Sequence, residues 1–414
     1  RLNITTIYLK INQVQHYSQM SNPMSICALL FPMIVLLSIG VIVLYLSSNN
    51  NSTTKQHEDK SLLVSRNLRF DPKTVDEKKD ILESLNPSNS KKIDWCTESP
   101  LEPLPYDNCN ADDIIYRIPL HGGMTNAIKM VLLGAIRSFE ENRCFFIDET
   151  SSHLNNFDKV HFYQNGFYAR YFERIGLYNE DPKVQKARRE DRVRSLTWQE
   201  VWEPLKYRRV PNQLTSIPSL GYTNVPGHEI KTIMLQRMWR PLPAVRQAAC
   251  QRMNELLGTT QTTFLAMSIR RGDKHLEKFE YANMDTYIQA AERIILQDQF
   301  HPTDAPTIFV ASDDCTVLSE LRSAKPTWNF VSECDMTHQT GFVINDMYDW
   351  DMAAHDKHNA KFFTELFAMA AATYWIGVAY TNVSWFAYFM RGGVMENFEL
   401  LDAPAGTNAI LSSW

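Results

Sequence analysis

Phe264-Leu265-Ala266-Met267-Ser268-Ile269-Arg270-Arg271-Gly272-Asp273-Lys274 is the stretch on which the fold turns. Its apolar first half predicts a buried strand over 263–269, and the charges arrive where that strand ends. Two guanidiniums, a carboxylate and an ammonium within five residues at a strand's exit suit a multiply anionic guest. Arg grips phosphate oxygens through a planar fork, while Lys adds a movable point charge. A solvated turn is the plain alternative. Arg271-Gly272-Asp273 also spells an adhesion tripeptide.

Downstream the pattern alternates. Met284, Tyr287, Ile288, Ala291, Ile294 and Ile295 share one face of a helix over 284–297. Thr307-Ile308-Phe309-Val310 predicts a strand that ends at Ala311-Ser312-Asp313-Asp314, followed by a helix through Leu318 and Leu321 and a strand at 328–332. A helix near 360–373 leads to a strand at Tyr374-Trp375-Ile376-Gly377, and a last helix covers 382–391. Upstream, Ile114-Ile115-Tyr116-Arg117-Ile118 runs into His121-Gly122-Gly123-Met124-Thr125-Asn126. A helix with Ile128, Val131, Leu132, Ala135, Ile136 and Phe139 on one face comes next, then a strand at Cys144-Phe145-Phe146-Ile147. Strand, Gly-rich turn, helix and strand make a βαβ unit, the mark of a parallel sheet. The expected plan is two successive α/β sheets, with ligands in a crevice at the carboxyl ends of strands. Between them, Phe162, Tyr163, Phe167, Tyr168, Tyr171 and Phe172 read as core, and the charged run at 186–192 as a solvated helix face.

Charged residues make up 21% of the 414 and hydrophobic ones 44%, with a net charge of −5. That is a globular balance, and the absence of a basic stripe argues against a nucleic-acid partner. Residues 23–46 carry no charge, enough to cross a bilayer core of about 30 Å as one helix. Residues 1–22 hold Arg1 and Lys10 and no acid, which places them as a cytoplasmic tail. Residues 47–94, densely charged, read as a lumenal stem with one short helix at 74–85 and a glycosylation acceptor at Asn51-Ser52-Thr53. Six of the seven cysteines follow: Cys96, Cys109, Cys144, Cys250, Cys315 and Cys334. An even number beyond an anchor suggests disulfides in an oxidising lumen, with Cys96–Cys109 the expected nearest pair. No Cys-x-x-Cys spacing points to a metal.

Four motifs, in order along residues 120–410, resemble those of the fucosyltransferases that use GDP-fucose, particularly the α1,6-fucosyltransferases and their chitin-oligosaccharide and protein O-fucosyl relatives. Arg270-Arg271-Gly272-Asp273-Lys274 resembles their arginine-arginine-x-aspartate-lysine motif, and Gly122-Gly123-Met124-Thr125-Asn126 their Gly-rich loop. Ala311-Ser312-Asp313-Asp314 is similar to their strand-end threonine-aspartate-aspartate. The stretch from Ile376 to Ser384, with Tyr380 and Thr381, resembles their glycine-x-x-serine-serine-x-valine element. Glu365 stands sixteen residues before Thr381, where the α1,6 enzymes carry a guanine-reading aspartate. The chain departs from the pattern at Ser268, where those enzymes have a histidine, and at Trp385, where an arginine is usual.

The resemblance implies a GT-B fold of two Rossmann-like domains: 95–258 on the acceptor side and 259–414 on the GDP-sugar side, after the membrane helix and stem. It implies a type II Golgi membrane protein. The activity implied is inverting, metal-independent and without a cofactor, moving fucose from GDP-fucose to a glycan or glycoprotein acceptor. An α1,6 linkage to an N-glycan core or a chitobiose-like GlcNAc is the linkage it suggests. Two alternatives stay open: another nucleotide sugar on the same fold, or a non-catalytic lumenal glycan-binding or adhesion protein.

Roles follow from the chemistry. Arg270, fixed at a strand end, neutralises charge developing on the β-phosphate. Arg271 pairs with Asp273 or Asp313 and supports the loop, and Asp313 and Asp314 bond loop backbone or Arg271. Thr381, at a helix start, holds a phosphate oxygen. Gly122, Gly123, Asn126, Ser268 and Tyr380 complete the expected GDP-sugar contacts. Glu365 accepts N–H bonds from guanine, or else is a surface residue beside Phe362, Phe363 and Phe367. Glu277 is the expected base for the acceptor hydroxyl, near Lys274.

Overall fold

A computed structural model describes residues 94–97, 101–120, 123–149, 166–197, 200, 214–258, 263–272, 282–296, 305–334, 347, 349–393 and 396–403, all within one compact unit that spans 71–414. The anchor at 23–46, the stem with its helix at 74–85, Gly122, Phe162, Tyr163, Asp273, Lys274 and Glu277 lie outside the described residues. Among the described residues no helix is long and apolar enough to cross a membrane.

The first βα unit is β1 (Asn110–Pro119), α1 (Met124–Glu140) and β2 (Arg143–Asp148). After it come α2 (Phe167–Tyr171), α3 (Pro182–Arg189) and β3 (Val193–Ser195), and the three strands form a parallel sheet in the order β2-β1-β3. Successive side chains of a strand face opposite ways. Tyr116 and Ile118 accordingly join the main core under α1, while Ile115 packs with Val184 and Ala187 of α3. Both faces of β2 are covered, and Cys144–Ile147 is accordingly a continuous apolar run. A hairpin of β4 (Leu214–Ile217) and β5 (Tyr222–Pro226) leads into α4 (Gly227–Met238) and α5 (Pro243–Leu257).

The second sheet holds β6 (Leu265–Ile269), β7 (Thr307–Ser312), β8 (Asn329–Val331), β9 (Tyr374–Gly377) and β10 (Phe398–Leu400). All are parallel, in the order β10-β9-β6-β7-β8. Leu265, Met267 and Ile269 face α6 (Met284–Leu296) and α7 (Thr316–Ala324). Ala266 faces the side of α8 (Met352–Ala371) and α9 (Asn382–Met390). The chain runs from β6 outward through β7 to β8, then returns across the sheet to β9 on the other side. The strand order therefore reverses between β6 and β9, and a crevice opens at such a switch point.

An aromatic core joins the two sheets: Trp239 packs against Phe386 with ring centroids 4.6 Å apart, and Phe172 against Phe363 at 5.6 Å. Gly377 closes β9 under the ring of Trp375, itself stacked on Phe398 with centroids 4.0 Å apart. A Cβ at 377 would lie 2.2 Å from Cη2 of that buried indole. Gly377→Ala should therefore destabilise the fold by about 2 kcal/mol through overpacking. Chemical denaturation of the variant measures this, and an unchanged midpoint would refute it.

The expected Cys96–Cys109 bridge does not form. Cys96 bonds Cys250 of α5, Cys109 bonds Cys144, and Cys315 bonds Cys334. Strand register explains the second bridge. Asn110 lies opposite Arg143 and Ile115 opposite the next residue, Cys144, so the register shift between 110 and 115 holds the start of β1, with Cys109 before it, alongside Cys144. The helix expected at 360–373 begins earlier, at Met352, because Asp351 caps it by accepting the Ala354 N–H at 2.8 Å.

Candidate functional site

At the end of β6 the chain turns through Arg270, Arg271 and Gly272, and a carboxylate from β7 fixes that turn. Asp313 is 8% exposed; its Oδ1 accepts the Arg271 N–H at 2.8 Å and its Oδ2 the Gly272 N–H at 2.9 Å. Carboxylates bonded to backbone N–H groups make strong, charge-assisted contacts. The neighbouring Ser312 hydroxyl donates to the Ile269 carbonyl at 2.8 Å, which couples the two strand ends. The expected bond from Asp313 to loop backbone is thus present. Arg271, however, sends its side chain to Glu320 of α7, at 2.5 and 2.7 Å, and lies 3.8 Å from Asp314. This pairing holds the Arg271 guanidinium in its charged form and lowers the pKa of Glu320 below the usual carboxylate range. Arg270 is the one whose side chain approaches Asp313, with Nε 3.5 Å from Oδ2.

Below the turn runs α8. Glu365 is 5% exposed, so the surface reading of this residue is overturned. Its Oε1 lies 3.7 Å from Nζ of Lys361, one helical turn earlier, and that ammonium donates to the Ser312 carbonyl at 3.1 Å. Burial pushes the Glu365 carboxyl up to about 7, against the opposing pull of Lys361 and Arg270. Burial, with Lys361 and Arg270 nearby, also pushes His358 down to about 3, leaving a neutral imidazole at physiological pH. Sequence reasoning did not single out Lys361, although its four-residue spacing from Glu365 is a readable helical pair.

On the other side of the switch point, Thr381 caps α9. Its hydroxyl accepts the Ser384 N–H at 3.2 Å and shares a hydrogen bond with the Ser384 hydroxyl at 2.9 Å. Both residues are buried, so the Thr381 hydroxyl is committed to the cap. Asp402, which had no signal in the sequence, accepts the Ala379 N–H at 2.6 Å and pins the segment that carries Tyr380. Asn126, in the first turn of α1, meets this helix start: Asn382 donates to its Oδ1 at 3.4 Å. Lys129, 3% exposed, reaches the Asn382 side chain at 3.5 Å. The Gly-rich turn of the first sheet and the β9–α9 turn of the second therefore adjoin. Ser268 is buried, its carbonyl accepting the Tyr287 hydroxyl at 3.0 Å, and Trp385 is wholly in the core.

Beside this cluster, between α5 and α8, a cavity of about 760 Å³ is lined by Tyr171, Ala248, Arg252, Trp350, His358 and Lys361, among others. None of the residues expected to form the site lines it, although Lys361 and His358 face both. Among the described residues no group of His, Cys, Asp or Glu side chains is arranged to hold a metal ion.

Fold and site define a doubly wound α/β protein with a cationic turn at a strand switch point. No protein-family model matches the chain, and no curated protein matches it in sequence. Solved structures similar to it include the NodZ alpha-1,6-fucosyltransferase soaked with GDP-fucose (11% identity over 67% of this chain and 92% of that one, TM-score 0.42). Another is a mutant of Arabidopsis thaliana FUT1 in complex with GDP (9% identity, 78% of this chain and 77% of that one, TM-score 0.39). A third is POFUT1 in complex with GDP (12% identity, 70% and 98%, TM-score 0.37). At these TM-scores the likeness bears no weight, and the chemistry has to be read from the residues.

Proposed function

We propose that the chain is a glycosyltransferase that moves fucose from GDP-fucose to a glycan acceptor with inversion. The observation that carries the proposal is the Arg270–Gly272 turn, held by Asp313 at the switch point between β6 and β9. As the bond from fucose to the β-phosphate breaks, negative charge grows on the leaving GDP. A guanidinium already oriented by a buried carboxylate stabilises that charge without reorganising. Arg270 has this role, Arg271 braces the turn from Glu320, and Asp314 sits beside them. The Gly123–Asn126 turn and the Tyr380–Thr381 segment close over the donor from the opposite side of the crevice. Glu365 accepts guanine N–H groups as a carboxylate. Glu277 is assigned the acceptor's proton from its sequence position, three residues after Lys274.

In this reading 95–258 is the acceptor half, 259–414 the donor half, and 23–46 a type II anchor that places both in the Golgi lumen. The α1,6 linkage rests on the sequence motifs alone. A glycan array incubated with the full chain and GDP-fucose tests the assignment. Fucose on one acceptor class is expected, and no transfer to any glycan would overturn it.

The state of Glu365 sets a pH dependence. Its carboxyl stands near 7 against an ordinary value of 4.5. If the ionised form binds guanine, GDP affinity rises as pH increases through about 7. The fold responds with the opposite sign: the stability tied to a protonated Glu365 is complete below 4.5 and lost as pH rises through about 7, a span worth about 3 kcal/mol. Glu365→Gln should raise the melting temperature at pH 8 but not at pH 4, and should flatten the pH profile of GDP binding. A profile unchanged by the substitution would remove Glu365 from the base site.

A further inference from the structure

The disulfide Cys315–Cys334 spans 19 residues and bridges the carboxyl ends of β7 and β8. Cys315 directly follows Asp313 and Asp314 and stands at the N-cap of α7, where its own side chain makes no cap bond and Asp314 accepts the Thr316 N–H at 2.9 Å. Cys334 directly follows Glu333, which accepts from Nε of Arg252 on α5 at 2.8 Å, and both of these residues line the cavity. Weak local structure surrounds the bridge. β8 is three residues long and lies at the edge of its sheet, and the segment after it is held by the Ser332 hydroxyl, which donates to the Val310 carbonyl at 2.7 Å. A covalent link there ties the start of α7, beside Asp313 and Asp314, to a short edge strand.

We propose that Cys315–Cys334 is a positioning element for donor binding. It sets the end of β7, Asp313 follows, and through Asp313 the Arg271 and Gly272 N–H groups and the Arg270 guanidinium take their places. The inference rests on the donor assignment above. A dithiol reductant, itself oxidised to a disulfide, opens the bridge to two thiols and loosens this chain of contacts. A chain kept reduced at this pair is then weakened in donor binding while its sheets persist.

The test compares full-length wild type with a Cys315→Ser/Cys334→Ser double variant and, as reference, Cys96→Ser/Cys250→Ser. GDP binding is followed by calorimetry, KM and kcat by transfer assay, and folding by circular dichroism and melting temperature. The 315/334 variant should bind GDP about tenfold more weakly and raise the donor KM in step, with acceptor KM unchanged, because a displaced turn loses preorganised contacts. The 96/250 variant should melt earlier yet bind GDP normally. Should the 315/334 variant fail to fold, wild type treated with dithiothreitol, its thiols counted by alkylation and mass spectrometry, reads the same loss. Wild-type GDP affinity with the 315–334 bridge absent or reduced overturns the proposal, as does an equal loss of affinity in the 96/250 variant. If wild type itself binds no GDP, the donor assignment fails first and the proposal goes with it.

Discussion

Arg270→Ala is expected to lower kcat/KM for fucosyl transfer about 10³-fold, the scale on which removal of a cationic transition-state partner acts in phosphate-leaving chemistry. The fall should appear in kcat as well as KM, because the guanidinium meets more charge in the transition state than in bound GDP-fucose. Stability should change little. When Arg270 is removed, Asp313 still accepts the Arg271 and Gly272 N–H groups that hold the turn, so the fold should stand. Arg270→Lys keeps a charge but loses the planar fork, and should recover only part of the rate. Steady-state kinetics beside a melting curve separate the two effects. An Arg270→Ala enzyme that keeps near-normal turnover would remove the residue from the mechanism.

Asp313→Ala should be as damaging to activity and worse for the fold. Its carboxylate accepts two backbone N–H groups at 2.8 and 2.9 Å while almost fully buried. Truncation leaves both half-buried donors without their acceptor, at a cost of about 2 kcal/mol. It also removes the anion that faces Arg270. The turn then has no fixed geometry, and donor binding should weaken about 100-fold. Asp313→Asn keeps one acceptor oxygen but turns an amide N–H₂ toward a backbone N–H, so it should recover little. Urea denaturation and GDP titration of the two variants check both parts. A variant with normal stability and normal GDP affinity would mean that the turn is held by something else.

Much of the second sheet was legible because its strands are buried on both faces. Continuous apolar runs such as 264–267 and 374–377 leave few other readings, and β9 falls where it was expected. The link from Asp313 to loop backbone was also readable, since two acids at a strand's exit need donors. The partners of the charges were harder to read. Arg271 finds Glu320, 49 residues away on α7, because α7 packs back against β6 and β7; no local spacing encodes that. The cysteine pairing failed for the same reason, since Cys109 and Cys144 meet only once β1 and β2 are in register. For Glu365 the surface alternative fails because of its neighbours. From Phe363 to Ala370 every residue of α8 is buried, and a stretch buried on all sides carries its single acid, Glu365, inside. The hairpin β4–β5 and the short strand β10 are too brief to leave a periodic signal.

The central claim is that the turn at Arg270 binds a guanosine diphosphate. Calorimetric titration of the wild-type full chain with GDP, UDP and CMP tests it most directly. The account predicts saturable one-to-one binding of GDP, with UDP and CMP weaker by at least about tenfold. Equal binding of all three, or tighter binding of UDP or CMP, would contradict the guanine assignment, and no binding of any would contradict the site itself.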